Sequence, residues 1–192
     1  MARAGLRVIA GSLKGRRLAT PDWPGLRPTS DRLRETLFNI LAPRIAGARV
    51  LDACAGTGAV GIEALSRGAA RVTFLERDRR AIELIGANLA HCGLTGGYAI
   101  IRLDLGRRPL PLDAVFDLIF LDPPYETNPT GALTILEPAL APGGLIVIEH
   151  SRRRGSPAEA AGLVRVRDVT AGESALGFYE RVQMPADAGR EP

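Results

Sequence analysis

The order and character of the apolar runs predict an α/β protein. Its core is a mostly parallel sheet with one antiparallel strand, and a small N-terminal strand–helix extension precedes it. Three observations carry this reading. From Arg49 onward, short apolar runs without polar alternation are separated by helical patterns, as in parallel strands covered on both faces. Four of these runs lead into an acidic residue: Asp52, Glu76, Asp104 and Asp122. The last two runs, Leu163–Val169 and Ala175–Val182, follow one another with no helix between them and read as an antiparallel pair.

Along the chain, Leu6–Ala10 and Arg16–Ala19 read as two short strands around the turn Gly11-Ser12-Leu13-Lys14-Gly15. A loop punctuated by Pro and Gly runs from Pro21 to Pro28 and carries Trp23. Thr29 or Ser30 can cap the helix that follows, Asp31–Leu41, with Pro43 just past its end. Leu33, Leu37, Ile40 and Leu41 give that helix an apolar stripe; Arg32, Glu35 and Asn39 recur on a second, polar face. Strand Val50–Ala53 passes through Gly56-Thr57-Gly58 into a helix ending at Ser66. Strands Arg71–Leu75 and Ala99–Leu103 flank the helix Arg79–Ala90. Strand Val115–Leu121, helix Thr130–Leu140 and strand Leu145–Glu149 complete the alternation. The tail beyond Pro185 is polar and is expected to fray.

The 192 residues suit one domain with a small appendage, and 46% hydrophobic content is enough for a core, which excludes a disordered or fibrous chain. No apolar run approaches the roughly 18–20 residues that span a bilayer, and the N-terminus lacks the apolar stretch of a signal peptide. Cys54 and Cys92 lie far apart and outside any C-x-x-C pattern, which argues against a disulfide framework or zinc site. A soluble, cytoplasmic protein is expected, with no membrane partner. Charge is unevenly spread: residues 1–49 hold ten basic side chains against three acidic ones, whereas the rest holds 15 Arg against 18 Asp and Glu. A basic segment on a slightly acidic body points to a docked polyanion.

In an open α/β sheet the ligand lies beyond the carboxyl ends of the strands, so the four acids would line one crevice. The turn Asp52-Ala53-Cys54-Ala55-Gly56-Thr57-Gly58 has glycines that let the backbone approach a ligand before entering a helix. Gly56, Gly58 and Gly61 satisfy G-x-G-x-x-G, but Asp52 at its head would repel a pyrophosphate and welcome a cationic or zwitterionic ligand. Glu76, twenty residues past Gly56, can accept from ribose hydroxyls, and Asp104 sits where an adenine amine could be read. Ribose, adenine and a positively charged amino-acid tail together describe S-adenosylmethionine. The expected cofactor-binding set is Asp52, Ala53, Gly56, Thr57, Gly58, Glu76, Arg77, Asp104, Leu105 and Asp122.

Asp122-Pro123-Pro124-Tyr125 follows a strand directly, and two prolines hold such a loop rigid. A rigid loop can aim the Asp122 carboxylate and the Pro123 carbonyl at one amine, turning its lone pair toward a sulfonium methyl group. An exocyclic base amine is a poor nucleophile, so orientation and electrostatic help are what an enzyme must supply. Tyr125 can stack on a flat base. Asp122, Pro123, Pro124 and Tyr125 are the expected catalytic residues; nothing in the sequence calls for a metal.

Asp-Pro-Pro-Tyr resembles the signature loop of amino-group methyltransferases, and Asp52–Gly58 is similar to their cofactor motif. The string from Arg27 to Asn39 (RPTSDRLRETLFN), with Gly61–Gly68 (GIEALSRG), is similar to the bacterial 16S rRNA guanine-N2 methyltransferases, the RsmD family, over about residues 6–183. The resemblance departs at Ala53-Cys54, where family members often carry a bulkier pair. It implies a Rossmann-like class I methyltransferase sheet over 46–185, a basic hairpin and helix over 1–45 and a disordered tail over 186–192. It also implies methyl transfer from S-adenosylmethionine to guanine N2 in 16S rRNA, at guanine(966), by a monomer acting on the rRNA, the 30S subunit or its assembly intermediate. Arg7, Arg16, Arg17, Arg27, Arg32, Arg34 and Asn39 are the expected RNA contacts.

Three other readings are weaker. A DNA amino-methyltransferase usually carries a target-recognition domain for which this length leaves no room. A nicotinamide-dependent dehydrogenase is disfavoured by Asp52 and by Asp122–Tyr125, and a bare RNA-binding scaffold would be expected to lose Asp122 or the glycines. Cys54 reads as a small packed residue, because no His lies near it in sequence, and His91 and His150 read as structural or surface groups.

Overall fold

The computed structural model describes residues 5–24, 29–105, 110, 115–123 and 128–182. Helix α1 (Asp31–Ile45) is followed by β1 (Arg49–Ala53), α2 (Ala59–Ser66), β2 (Arg71–Glu76), α3 (Arg79–His91), β3 (Tyr98–Arg102) and β4 (Phe116–Leu121). Then come α4 (Pro129–Leu136), a 3-10 turn (Glu137–Ala139), β5 (Leu140–Ser151), β6 (Glu159–Ala160), β7 (Leu163–Ala171) and β8 (Ser174–Arg181). The strands form one sheet in the order β3-β2-β1-β4-β5-β8-β7-β6. β1 to β5 are parallel, and β8 runs against β5 and β7, the reversed strand that the sequence predicts. A two-residue edge strand, β6, adds a second reversal.

Successive residues of the central strands enter two different cores. Val50, Leu118, Phe120 and Val147 face α1, α2, α3 and the N-terminal segment, whereas Leu51, Ile119, Leu121 and Ile148 face α4. Burial on both faces is why these strands read as unbroken apolar runs. The N-terminal segment shares the first core through Leu6, Val8 and Leu18. Among the described residues no helix is long and apolar enough to cross a membrane.

Several boundaries differ from expectation for local reasons. α1 runs through Pro43 to Ile45; the N–H that Pro43 lacks would have reached the carbonyl of solvent-exposed Asn39, so the loss is small there. The helix expected over Thr130–Leu140 tightens into a 3-10 turn at Glu137, where Pro138 cannot donate to the preceding turn. The two N-terminal strands reduce to a single antiparallel bridge, Arg7 to Arg17. Val8 N–H still donates to the Arg16 carbonyl and Leu18 N–H to the Leu6 carbonyl, while Ile9 and Ala10 N–H donate to the Glu63 carboxylate and Leu13 N–H to Ser66 Oγ.

Candidate active site

The turn after β1 is built for close approach. Cys54, Gly56 and Gly58 all hold positive φ (65°, 55° and 74°), so the chain folds back over the strand end before entering α2. Gly61 serves packing: a Cβ there would overlap the Phe74 ring, so only glycine lets α2 lie this close to β2. Thr57 is buried, and its carbonyl accepts from Asn88 Nδ2 at 3.0 Å. Asn88 also accepts from Ala19 N–H at 2.7 Å, tying the turn to the N-terminal segment.

The acids predicted to line the crevice take distinct roles. Asp52 is buried and accepts from Gly61 N–H at 2.8 Å through one oxygen. Burial, opposed by that hydrogen bond and reinforced by the Glu76 charge, pushes its carboxyl up to about 7. Glu76 accepts from Gly56 N–H at 2.9 Å with one oxygen, and from Arg77 and Asp78 N–H at 2.7 and 3.0 Å with the other. Its carboxylate therefore holds the Gly56 turn against the end of β2; Oε1 already takes two donors, whereas Oε2, with one, keeps a site for another. Asp104 lies beyond β3 with Oδ2 3.9 Å from the Arg77 guanidinium. Burial and the surrounding Glu76, Asp122 and Asp52 carboxylates push the Cys54 thiol up to about 12, so it is no thiolate nucleophile.

Asp122 follows β4 directly and accepts from the Thr29 hydroxyl at 3.3 Å. Its neighbour across the sheet is Glu149: the β4–β5 register pairs Leu121 with Ile148, and each acid comes one residue later. Asp52, Asp122, Glu149 and Thr29 line one small pocket with Leu37, Val60 and Phe120. Burial and the Glu149 charge push the Asp122 carboxyl well above the usual carboxylate range, with Thr29 opposing. An acid-rich crevice of this kind suits a cation, which would relieve the cost of keeping Asp52 buried and charged.

The remaining expected residues divide. Ala53 is fully buried at the end of β1 and can offer a ligand only its backbone. Leu105 packs against the second core. Pro123 is half-buried beside Asp122; Pro124, Tyr125 and Arg27 lie outside the described residues, as does the 186–192 tail. Arg7, Arg16, Arg17, Arg32 and Asn39 are exposed. Arg34 corrects the expectation of an RNA contact: it is fully buried, donates to Asp31 at 2.6 Å and to the Arg7 carbonyl at 2.8 Å, and has no surface to offer a phosphate. Sequence reasoning missed Thr29 and Glu149 as site residues, although Glu149 closes an apolar run just as the four chosen acids do.

The family described as Conserved hypothetical protein 95 matches residues 6–180, nearly the whole described chain. The chain belongs to this family. Similarity to named relatives is equally extensive. The chain is 38% identical over 179 residues to Ribosomal RNA small subunit methyltransferase D of Escherichia coli strain K12, covering 92% of this chain and 90% of the relative. It is 40% identical over 158 residues to the protein of the same name from Haemophilus influenzae, covering 79% and 81%. The solved structure of the Escherichia coli protein yhhF superposes with a TM-score of 0.78 at 38% identity, covering 91% of this chain and 97% of that one.

Proposed function

We propose that this protein transfers a methyl group from S-adenosylmethionine to the exocyclic N2 amine of a guanine in 16S rRNA, as naked RNA or within the 30S subunit or its assembly intermediate. The observation that carries the reading is the placing of Asp52 and Asp122 on one pocket, with Glu76 bonded to the Gly56 turn that follows Asp52, in a chain that belongs to this family. Similarity to ribosomal RNA small subunit methyltransferases over nine-tenths of the chain supports the substrate class.

The cofactor, when bound, supplies an electrophilic methyl group on a sulfonium. The residues that would hold it are Asp52 toward its cationic end, the backbone of Ala53, Gly56, Thr57 and Gly58, Glu76 with Arg77 at the ribose, and Asp104 with Leu105 at the adenine. The Asp122 carboxylate and the Pro123 carbonyl accept the two amine hydrogens and so direct the nitrogen lone pair away from the ring. The nitrogen gains one bond to the methyl carbon as that carbon's bond to the sulfonium sulfur breaks to leave a neutral thioether. The nitrogen gives up one proton, which Asp122 in its charged form or solvent would take. Tyr125 stacks on the guanine, and Arg7, Arg16, Arg17, Arg27, Arg32 and Asn39 hold flanking phosphates while the base leaves its stack.

Labelled methyl transfer by the purified protein to 16S rRNA and to 30S particles tests the proposal, with the product nucleoside identified by mass spectrometry. N2-methylguanosine is expected; label in a different nucleoside, or in neither substrate, contradicts it.

A further inference from the structure

We infer that Thr29 is a positioning residue for Asp122, its hydroxyl holding the carboxylate in the orientation that receives the amine, so that the segment leading into α1 completes the catalytic loop. The inference rests on the reading of Asp122 above.

Thr29 and Ser30 are adjacent hydroxyls, and the structure divides their work. Ser30 caps α1, its Oγ accepting from Leu33 N–H at 3.3 Å. The Thr29 hydroxyl is thereby left for Asp122 Oδ2, 93 residues further along the chain. Its position is not loose. The cap fixes the head of α1, and the helix is seated on β4 by Phe38 against Phe120, ring centroids 6.0 Å apart. Leu37 of the same helix lines the pocket that holds Thr29 and Asp122. The helix therefore meets β4 at Phe120, and the residue before its cap, Thr29, meets the chain just past the strand's carboxyl end.

The surroundings give the hydroxyl chemical weight. Glu149 faces Asp122 from β5, Asp52 from β1, and the Cys54 thiol lies within their electrostatic reach. Burial, the charges of Glu149 and Asp52 and a hydrogen bond with Glu149 all favour protonation of Asp122. A protonated carboxyl would turn a donor toward the amine, where an acceptor is needed. Thr29 donates to the charged form and opposes that protonation.

Thr29→Val keeps the shape and removes the donor; Thr29→Ser keeps the donor. The Asp122 carboxyl can be titrated by 13C NMR without any substrate, its signal assigned by its loss in Asp122→Asn. In Thr29→Val the Asp122 midpoint should rise by at least about half a pH unit. Methyl transfer to 30S particles near neutral pH should slow roughly tenfold or more, the scale for a hydrogen bond to a charged group. The acid limb of its rate profile should move to higher pH while S-adenosylmethionine affinity stays unchanged, and Thr29→Ser should restore both. An unchanged Asp122 midpoint in Thr29→Val overturns the inference. A shifted midpoint in a protein whose wild type methylates neither 16S rRNA nor 30S particles supports the Thr29–Asp122 link and overturns the proposed function instead.

Discussion

Arg34 Nη1 lies 3.7 Å from Glu63 Oε2, and neither side chain is exposed to water. The pair joins α1 to α2, and the N-terminal segment is bonded to both partners. Glu63 also accepts from Ile9 and Ala10 N–H and from the Arg67 guanidinium at 2.7 Å, while Arg34 donates to the Arg7 carbonyl. The contact thus fastens the basic hairpin to the sheet that carries the crevice. Removing Glu63 strips the acceptor from the Ile9 and Ala10 N–H groups and from Arg67, and leaves buried Arg34 with Asp31 as its remaining carboxylate. Glu63→Ala should therefore lower unfolding free energy by about 3–5 kcal/mol, read from urea melts. A loss below about 1 kcal/mol would mean the pair has little structural role.

Asp52 links pH to both stability and cofactor affinity. Its carboxyl is ordinary in the unfolded chain and is pushed up to about 7 in the fold. The folded state therefore binds a proton that the unfolded chain has already released. The resulting stabilisation is complete below the ordinary carboxylate range and disappears as pH rises through about 7. Asp52→Asn should accordingly raise stability near about pH 8, by on the order of 2–4 kcal/mol, and change it little near about pH 4. Binding of a cation requires the ionised form, so S-adenosylmethionine affinity should climb with pH toward about 7 in the wild type and stay flat in Asp52→Asn. Calorimetry over that range, with buffers of different ionisation enthalpy to count released protons, checks both. A pH-independent wild-type affinity would remove Asp52 from the cationic end of the site.

Glu76 holds three backbone N–H groups and is the expected ribose acceptor. Glu76→Ala should weaken S-adenosylmethionine binding by roughly 1.5–3 kcal/mol and also lower the melting temperature, because those donors lose their acceptor. A drop in melting temperature with unchanged affinity would confine Glu76 to the turn.

For RNA, the exposed Arg16 and Arg17 are the informative pair. Arg16→Glu/Arg17→Glu should weaken binding to 16S rRNA or 30S particles and flatten its salt dependence by close to one unit of slope for each phosphate no longer held, with S-adenosylmethionine affinity intact. A wild-type salt profile would move the docking surface elsewhere, to Arg152, Arg153 and Arg154 as the other dense basic cluster.

The sheet was legible because strands covered on both faces must be apolar throughout, and the runs from Val50 to Glu149 show it. The turn at Gly56–Gly58 and the acids after each run were legible because they follow in sequence from those strands. Contacts between distant segments were not. Thr29 reaches Asp122 across 93 residues and Asn88 reaches Ala19 across 69, and no local pattern encodes either. Arg34 is the instructive miss. Beside Arg32 it reads as one more surface cation, yet it lies three residues before Leu37 and four before Phe38, on the side of α1 that is buried. The N-terminal runs do pair antiparallel around their turn, through Val8 with Arg16 and Leu18 with Leu6. The pairing stops at one bridge because Ile9 and Ala10 turn their N–H groups to Glu63.

The central claim is that Asp122 orients the acceptor amine. It is tested most directly by measuring Asp122→Ala for S-adenosylmethionine binding and for single-turnover methyl transfer to 30S particles. The account predicts affinity within a few fold of wild type and turnover reduced by at least about 10²-fold, the scale for losing a positioned polar group. Turnover near the wild-type rate in Asp122→Ala would contradict it.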